Sequence, residues 1–233
     1  MRTSIRQIVD PLDPALSDAY ALLAQSFARE ERVLLSDWKG SLSETSQGLL
    51  TDVAWHLLVA EQEGQVVGIA SGMYLGNVNV GVIGYLAIPQ LVRANGLGTR
   101  LRRRLRALFS RDALRISKKP LDAIMGEVSP ANRWLRTLAS REGVIVLDFP
   151  YFQPRLYDGD EASPFVLYYE PLSRQRRRIP ASELRRLLFT IWRRIYRVPR
   201  PLERPAFRAM MKALHNRRTI GSLDFSRMER HDR

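Results

Sequence analysis

Two periodicities of apolar residues run through the first 171 residues of this 233-residue chain. Apolar runs bounded by glycine, proline or polar turns predict strands. They occur at residues 4–9, 55–61, 66–75, 78–88, 121–128, 144–149 and 165–170. Apolar residues at intervals of three and four predict helices, and these occur at residues 14–27, 99–110 and 130–142. Residues 38–52 are polar and rich in serine, so we expect a loop there with one or two short helical turns.

The order of these elements defines the fold class. Three strands in succession are joined by hairpin turns at residues 62–65 and 76–77, which makes them antiparallel neighbours. The remainder of the sequence adds helix, strand, helix and two strands, an order that packs helices on a mixed sheet. We therefore predict an α+β (mixed α/β) fold, with a central, mixed, mostly antiparallel sheet of about seven strands flanked by helices.

Residues 86–99 hold the strongest functional signal, because a strand leads through a glycine-rich turn directly into a helix. Glycines allow successive backbone N–H groups to converge, and a helix N-terminus adds roughly half a positive charge. Such a turn binds phosphate groups. Leu101 occupies the place of the third glycine of a dinucleotide-binding fingerprint, and the Gly-Lys-Ser/Thr of a P-loop is absent. Neither of those two nucleotide sites is therefore expected.

Arg93, Gly96 and Gly98 match a (Gln/Arg)-x-x-Gly-x-(Gly/Ala) signature, after a strand that ends on apolar Leu86 and Ile88. In this motif and in its element order, the sequence over residues 4–171 resembles the GNAT family of acetyl-CoA-dependent N-acyltransferases. An ordinary strand-to-helix turn would explain the two glycines but not the spacing of Arg93. The resemblance implies the GNAT fold, with acetyl-CoA as the acyl donor and no metal.

The resemblance also implies where CoA binds. Backbone amides from Arg93 to Thr99 would hold the pyrophosphate, and strands 78–88 and 121–128 would separate at their ends to admit the pantetheine arm. The Ile88 amide would polarise the thioester carbonyl as an oxyanion donor. The implied cofactor-binding residues are Leu86, Ala87, Ile88, Arg93, Ala94, Asn95, Gly96, Leu97, Gly98, Thr99 and Asn132. For Asn132, fixing the loop is the alternative role.

Acyl transfer to an amine requires one group that removes a proton from the amine and another that protonates the leaving thiolate. In many GNAT enzymes a tyrosine on a helix serves the thiolate, but the matching position here is Ala139. The candidate catalytic residues are therefore Glu127 and Tyr151. Glu127 ends strand 121–128, where burial would raise its pKa, and a helix cap or an arginine partner is the alternative. For Tyr151 the alternative is an aromatic side chain packed in a proline-bounded loop.

Further candidates concern the acceptor amine. The Tyr-x-Gln-Pro segment at residues 151–154, Glu127-Val128 and residues 27–32 together resemble a group of bacterial GNAT proteins. This resemblance implies that Gln153 lies on the acceptor side. Glu31 belongs to a loop that usually walls the acceptor pocket in the family, and for it a solvated surface position is the alternative. The predicted partners are acetyl-CoA and a primary amine of a small molecule or peptide. The rival hypothesis is a non-catalytic acyl-CoA-binding sensor or assembly protein, because Ala139 lacks the usual hydroxyl.

The amino-acid composition excludes several classes of catalytic and metal site. The chain contains no cysteine, which excludes thiol nucleophiles, disulfides, iron–sulfur clusters and cysteine-based zinc sites. Its three histidines are scattered, so no metal site is expected, and a reducing cytoplasm fits. The net charge of +13 arises from the last 62 residues, which hold 18 Lys and Arg against five Asp and Glu. We therefore predict two domains, residues 1–171 with the GNAT fold and residues 172–233 as a basic, mainly helical extension.

The extension contains a strongly amphipathic helix at residues 180–198 and a weaker one at residues 205–216. The first has an apolar stripe formed by Leu184, Leu187, Leu188, Ile191, Trp192 and Ile195. Three interpretations stay open for this helix. It packs on the sheet or self-associates with a second subunit, it lies on the anionic inner surface of a membrane, or it binds nucleic acid. Nucleic acid is the least favoured partner, because aromatic and basic residues are not interleaved as base stacking requires.

Overall fold

The computed structural model of the protein describes residues 3–92, 96–132, 134–157 and 161–224. The chain forms two compact units, Met1–Leu121 and Asp122–Arg233. Residues 172–224 are therefore in the same unit as the strands that immediately precede them. The boundary near residue 171 stays a prediction about charge and function, and it does not coincide with the division between these units.

The first unit is an antiparallel sheet with helices packed on it. Its strands lie in the order β1-β2-β3-β4, each antiparallel to the next. The strands are β1 (Ser4–Ile8), β2 (Val53–Gln62), β3 (Gln65–Leu75) and β4 (Val80–Ala87). The helices are α1 (Ala15–Ser26), α2 (Leu35–Ser46) and α3 (Leu97–Asp112). The two predicted hairpins are confirmed, because their turns join β2 to β3 and β3 to β4.

Helix α2 contradicts the loop expected at residues 38–52. Leu35, Trp38 and Leu42 recur at intervals of three and four, and the last two are buried. They pack in one core cluster with apolar residues of α1 such as Leu23. Burial of this narrow stripe outweighs the weak helix propensity of the serines and the glycine around it.

A β-bulge shapes the C-terminal end of β4. The register of the β3–β4 pairing shifts between Ser71 and Gly72, which leaves Gly84 as an additional residue in β4. A bulge bends the strand that carries it and increases its twist. Ala87 is the last residue of β4 that pairs with β3, so Ile88 lies beyond this ladder.

The second unit is built around β8, which pairs antiparallel with β5, β6 and β7. Its strands are β5 (Ala123–Val128), β6 (Ile145–Val146), β7 (Tyr151–Gln153), β8 (Ser163–Pro171), β9 (Ile179–Pro180) and β10 (Thr219–Ile220). Its helices are α4 (Trp134–Ala139), α5 (Ala181–Thr190) and α6 (Pro205–His215). The helix predicted at residues 130–142 is thus shorter than expected. The strand predicted at 144–149 is reduced to β6, and β7 follows it after Pro150, which has no N–H to continue a ladder.

The C-terminal extension is an integral part of the second unit. Five residues of its apolar stripe are at most 1% exposed: Leu184, Leu187, Leu188, Ile191 and Trp192. The Trp192 and Phe207 rings pack with their centroids 5.0 Å apart, which joins the α5 segment to α6. The backbone N–H of Leu223 donates to the Val146 carbonyl at 2.7 Å. These contacts support the packing interpretation of the stripe.

Candidate active site

The turn before α3 is the first part of the candidate site. Gly96 is the N-cap residue of α3 and has φ = 68°, a left-handed conformation that favours glycine. The amides of residues 97–99 have no acceptor within the helix, and this first turn carries no acidic side chain. Its positive end suits an anionic group. Arg93, Ala94 and Asn95 of the predicted cradle lie outside the described residues.

The other predicted CoA-binding residues of this unit lie close together. A Cβ at Gly98 would be 3.2 Å from Ile88 Cδ1 and 3.7 Å from Leu86 Cδ2. The start of α3 therefore lies directly against the end of β4. Leu97 and Ala87 are both buried and anchor the two segments in the core. The described part of the predicted phosphate cradle, residues 96–99, is thus adjacent to the strand end predicted to bind pantetheine.

Glu31, the predicted acceptor-side residue of the first unit, is held beside β4. The Tyr85 hydroxyl donates to the Glu31 carbonyl oxygen and accepts from the Val33 N–H, both at 3.0 Å. The Tyr85 ring meets the Phe27 ring edge to face, with centroids 5.2 Å apart. These contacts hold the segment around Glu31 next to the last residues of β4.

In the second unit, two tyrosines donate hydrogen bonds to the Glu127 carboxylate. The Tyr151 hydroxyl donates to Oε1 at 2.7 Å, and the Tyr196 hydroxyl donates to Oε2 at 2.6 Å. We call these three side chains the Glu127 cluster. The two catalytic candidates from the sequence are therefore in direct contact, and a residue of the extension joins them.

Strand pairing explains how Glu127 and Tyr151 meet. Glu127 of β5 pairs with Leu167 of β8, and Tyr151 of β7 pairs with Phe165, two residues away on the same strand. Because residues two apart in a strand project to one face, both side chains lie on a common face of the sheet. Gln153, two residues beyond Tyr151, projects to this face as well and is buried.

The cluster has an unusual charge state. Burial raises the pKa of the half-buried Glu127 to about 7 from 4.5, and the hydrogen bonds from the two tyrosines lower it less. Burial, and then the negative charge of Glu127, raises the pKa of Tyr151 well above its ordinary value. Tyr151 therefore stays protonated at neutral pH and donates its hydrogen bond. Glu127 is partly protonated and partly ionised near pH 7. A carboxyl of this kind suits general-base catalysis.

Two further sequence candidates lie around α4. The Asn132 side-chain Oδ1 accepts from the Trp134 N–H at 3.0 Å, so Asn132 fixes the loop before α4. Its contact with CoA stays a prediction. Ala139 is the last residue of α4 and is exposed, so this position supplies no hydroxyl. The separation of β4 from β5 also stays a prediction, because these strands belong to different units.

Tyr196 was not predicted as a site residue. It lies at intervals of four from Leu184, Leu188 and Trp192, on the continuation of the apolar stripe. A tyrosine at the end of a buried stripe needs a partner for its hydroxyl. This requirement was the feature of the sequence that could have pointed to Tyr196. The partner was not predictable, because Glu127 is 69 residues away in the sequence.

Within the described ranges, no group of three or more His, Asp or Glu side chains has the arrangement of a metal site. No helix in this part of the chain is both long and apolar enough to cross a membrane.

Solved structures with the same architecture define the fold. A GNAT-family protein from Bacteroides thetaiotaomicron matches with a TM-score of 0.61 at 17% identity, over 84% of this chain and 99% of its own. An N-acetyltransferase from Staphylococcus aureus Mu50 matches with a TM-score of 0.53 at 11% identity, over 73% and 99%. The ribosomal-protein-S18-alanine N-acetyltransferase from Escherichia coli matches with a TM-score of 0.51 at 14% identity, over 74% and 96%.

The chain thus belongs to the α+β class, with helices flanking mostly antiparallel strands. More specifically, it has the fold of the GNAT acyl-CoA N-acyltransferases, which confirms the fold implied by the sequence resemblance. No protein-family model and no curated protein matches the sequence. At these identities the likeness to solved structures concerns the fold.

Proposed function

We propose that this protein is an N-acetyltransferase that moves an acetyl group from acetyl-CoA to a primary amine of a small molecule or peptide. The observation that carries this proposal is the Glu127 cluster, a carboxylate held by two tyrosine hydroxyls with a pKa of about 7. The GNAT fold and the glycine turn at Gly96 support acetyl-CoA as the donor.

The proposed chemistry needs no covalent intermediate. Glu127 as carboxylate takes a proton from the acceptor ammonium, and the neutral amine attacks the thioester carbon. A C–N bond forms and the C–S bond breaks, which leaves CoA thiolate and a protonated amide. Glu127 returns its proton to the thiolate and the protonated amide releases one proton to solvent, so an ammonium and acetyl-CoA give an amide, CoA thiol and one proton, and Glu127 is again a carboxylate. General-base assistance of this kind contributes on the order of 10²–10⁴-fold to a rate.

The acceptor side is assigned to three predicted residues. Tyr151 keeps Glu127 in place through its hydrogen bond to Oε1. The buried Gln153 and the half-buried Glu31 are the proposed substrate-binding groups. Gln153 would orient the acceptor through its amide. Glu31, in the first unit, stays a separate sequence-based candidate, whose charge would attract a cationic amine.

Release of CoA thiol from acetyl-CoA tests the proposal directly. Wild type and Glu127→Gln are incubated from pH 6 to pH 9 with a diamine, a polyamine, lysine and a short peptide, with Glu142→Gln as the exposed control. We expect kcat/KM to rise with pH through about 7 in wild type and in Glu142→Gln. Glu127→Gln should lose at least about tenfold, since a general base is removed. Binding of acetyl-CoA without turnover of any amine would instead support the sensor hypothesis.

A further inference from the structure

We propose that Tyr196 of the C-terminal extension is a proton relay, which passes the proton of the acceptor amine to Oε2 of Glu127. This inference rests on the proposed function and adds a residue to its site. The 2.6 Å hydrogen bond from the Tyr196 hydroxyl to Oε2 carries it. Within the described chain, this tyrosine brings the extension into direct contact with the candidate base.

The two tyrosines of the cluster differ in accessibility. Tyr151 is 1% exposed and its hydroxyl donates to Oε1, so it is a fixed internal donor. Tyr196 is half-buried, which leaves part of its side chain open to solvent. The Tyr196 side chain is therefore the more accessible of the two to a substrate.

The relay step keeps atoms and charges balanced. The amine donates a hydrogen bond to Tyr196 Oη while the Tyr196 proton is directed at Glu127 Oε2. One proton moves from nitrogen to Oη as another moves from Oη to Oε2. Tyr196 ends neutral, Glu127 ends protonated and the amine ends neutral and nucleophilic. The same path in reverse returns a proton for the thiolate.

The backbone around Tyr196 is built to hold this side chain. The helix that begins as α5 widens at Ile191–Ile195 into a π-helical turn, and the Tyr196 N–H bonds to the Ile191 carbonyl five residues back. Such turns are frequent at functional sites. The next residue, Arg197, has φ = 55°, a strained conformation for a residue with a side chain. Strain of this kind persists where surrounding contacts impose it, often beside active sites.

Hydrogen bonds on both sides of Arg197 impose this conformation. The Val198 N–H donates to the Trp192 carbonyl at 2.9 Å, and the Arg193 guanidinium donates to the Val198 and Pro199 carbonyls. These hydrogen bonds tie the backbone just after Tyr196 back to residues 192 and 193. These contacts hold the backbone that carries the Tyr196 side chain, and the hydrogen bond to Glu127 holds its hydroxyl.

Three tyrosine variants of the full chain separate a relay from a merely structural contact. Tyr196→Phe removes the proposed relay, and Tyr151→Phe removes the fixed donor. Tyr169→Phe is the matched control, because its hydroxyl donates at 2.9 Å to Glu183 in the same unit, not to Glu127. Acetyl transfer to the fastest amine of the panel is measured for each from pH 6 to pH 9.5.

We expect Tyr196→Phe to lower the high-pH plateau of kcat by at least about tenfold, since a step of general-base catalysis is impaired. Tyr151→Phe should move the acidic limb to higher pH, because the carboxylate loses one donor. Tyr169→Phe should match wild type. A wild-type plateau in Tyr196→Phe would overturn the relay while leaving the proposed function intact. Absence of turnover in wild type would overturn both.

A second measurement needs no substrate. Infrared difference titration of the Glu127 carboxyl, assigned with Glu127→Gln, should show a higher midpoint in Tyr196→Phe than in wild type. An unchanged midpoint would refute the hydrogen bond.

If Tyr196→Phe does not fold, 3-fluorotyrosine at position 196 keeps the hydroxyl and makes it more acidic. A relay predicts a changed plateau for that protein, and an unchanged plateau contradicts it.

Discussion

Ionisation of Glu127 should make the folded protein less stable at alkaline pH, and Glu127→Gln should remove this dependence. The pKa of this carboxyl is about 7 in the fold, against an ordinary value of 4.5 that applies to the unfolded chain. Each pKa unit corresponds to about 1.4 kcal/mol. The charged form of Glu127 therefore costs the fold about 3 kcal/mol relative to its neutral form.

The direction of the effect follows from proton binding. Between pH 4.5 and about 7 the folded protein holds a proton that the unfolded chain has released. The free energy of unfolding therefore falls as pH rises through this window, and the contribution of Glu127 is constant above it. Glutamine has no such ionisation, so the same fall is absent from the variant.

Urea unfolding followed by far-UV circular dichroism at pH 5 and pH 8 measures this contribution. The loss of stability between the two pH values should be about 2.5 kcal/mol larger in wild type than in Glu127→Gln, because Glu127 of the unfolded chain is already mostly ionised at pH 5. Other titrating groups are shared by both proteins and cancel in this difference. Glu142→Gln, an exposed substitution in the same unit, should behave as wild type. Parallel losses in wild type and Glu127→Gln would refute the raised pKa and the role derived from it.

Two further predictions concern the glycine turn and the extension. Gly96→Val should weaken acetyl-CoA binding measured by calorimetry, because a side chain at φ = 68° costs about 1–2 kcal/mol and distorts the start of α3. Gly48→Val, at φ = 65° after α2, introduces the same strain and should leave that affinity unchanged. A chain ending at residue 171 should fail to form a native second unit by circular dichroism and proteolysis, because it lacks the buried stripe of α5. A chain ending at residue 224 keeps the buried stripe of α5 and the hydrogen bond from Leu223 to Val146, and it should remain folded.

Local features of the sequence predict much of the first unit. The hairpins of β2, β3 and β4 follow from turn residues between apolar runs, and both turns are where they were expected. The glycine turn was predictable for the same reason, because the conformation of Gly96 depends on its nearest neighbours. Glu127 and Tyr151 were identified from their positions next to strand ends, and they form a hydrogen bond.

Features that depend on distant contacts were not predictable. Helix α2 has a narrow apolar stripe, and the core that covers Trp38 comes from residues far away in the sequence. Strand β7 has only three residues and forms because its backbone pairs with β8. Tyr196 contacts Glu127 only because the fold of the second unit brings the two side chains together. In each case a short or ambiguous local pattern is decided by its tertiary partner.

Because the apolar stripe is buried, the positive charge of the extension has to be interpreted separately from the amphipathic pattern. A helix on a membrane inserts its apolar face among the lipids, whereas Leu184, Leu188 and Trp192 lie inside the second unit. The outward face is basic, with exposed arginines such as Arg193 and Arg194. Attraction of the folded chain to an anionic surface would therefore arise from these arginines, and salt would screen it. The amphipathic pattern is thus explained by packing, since the same stripe that fills the core also carries Tyr196 to the Glu127 carboxylate.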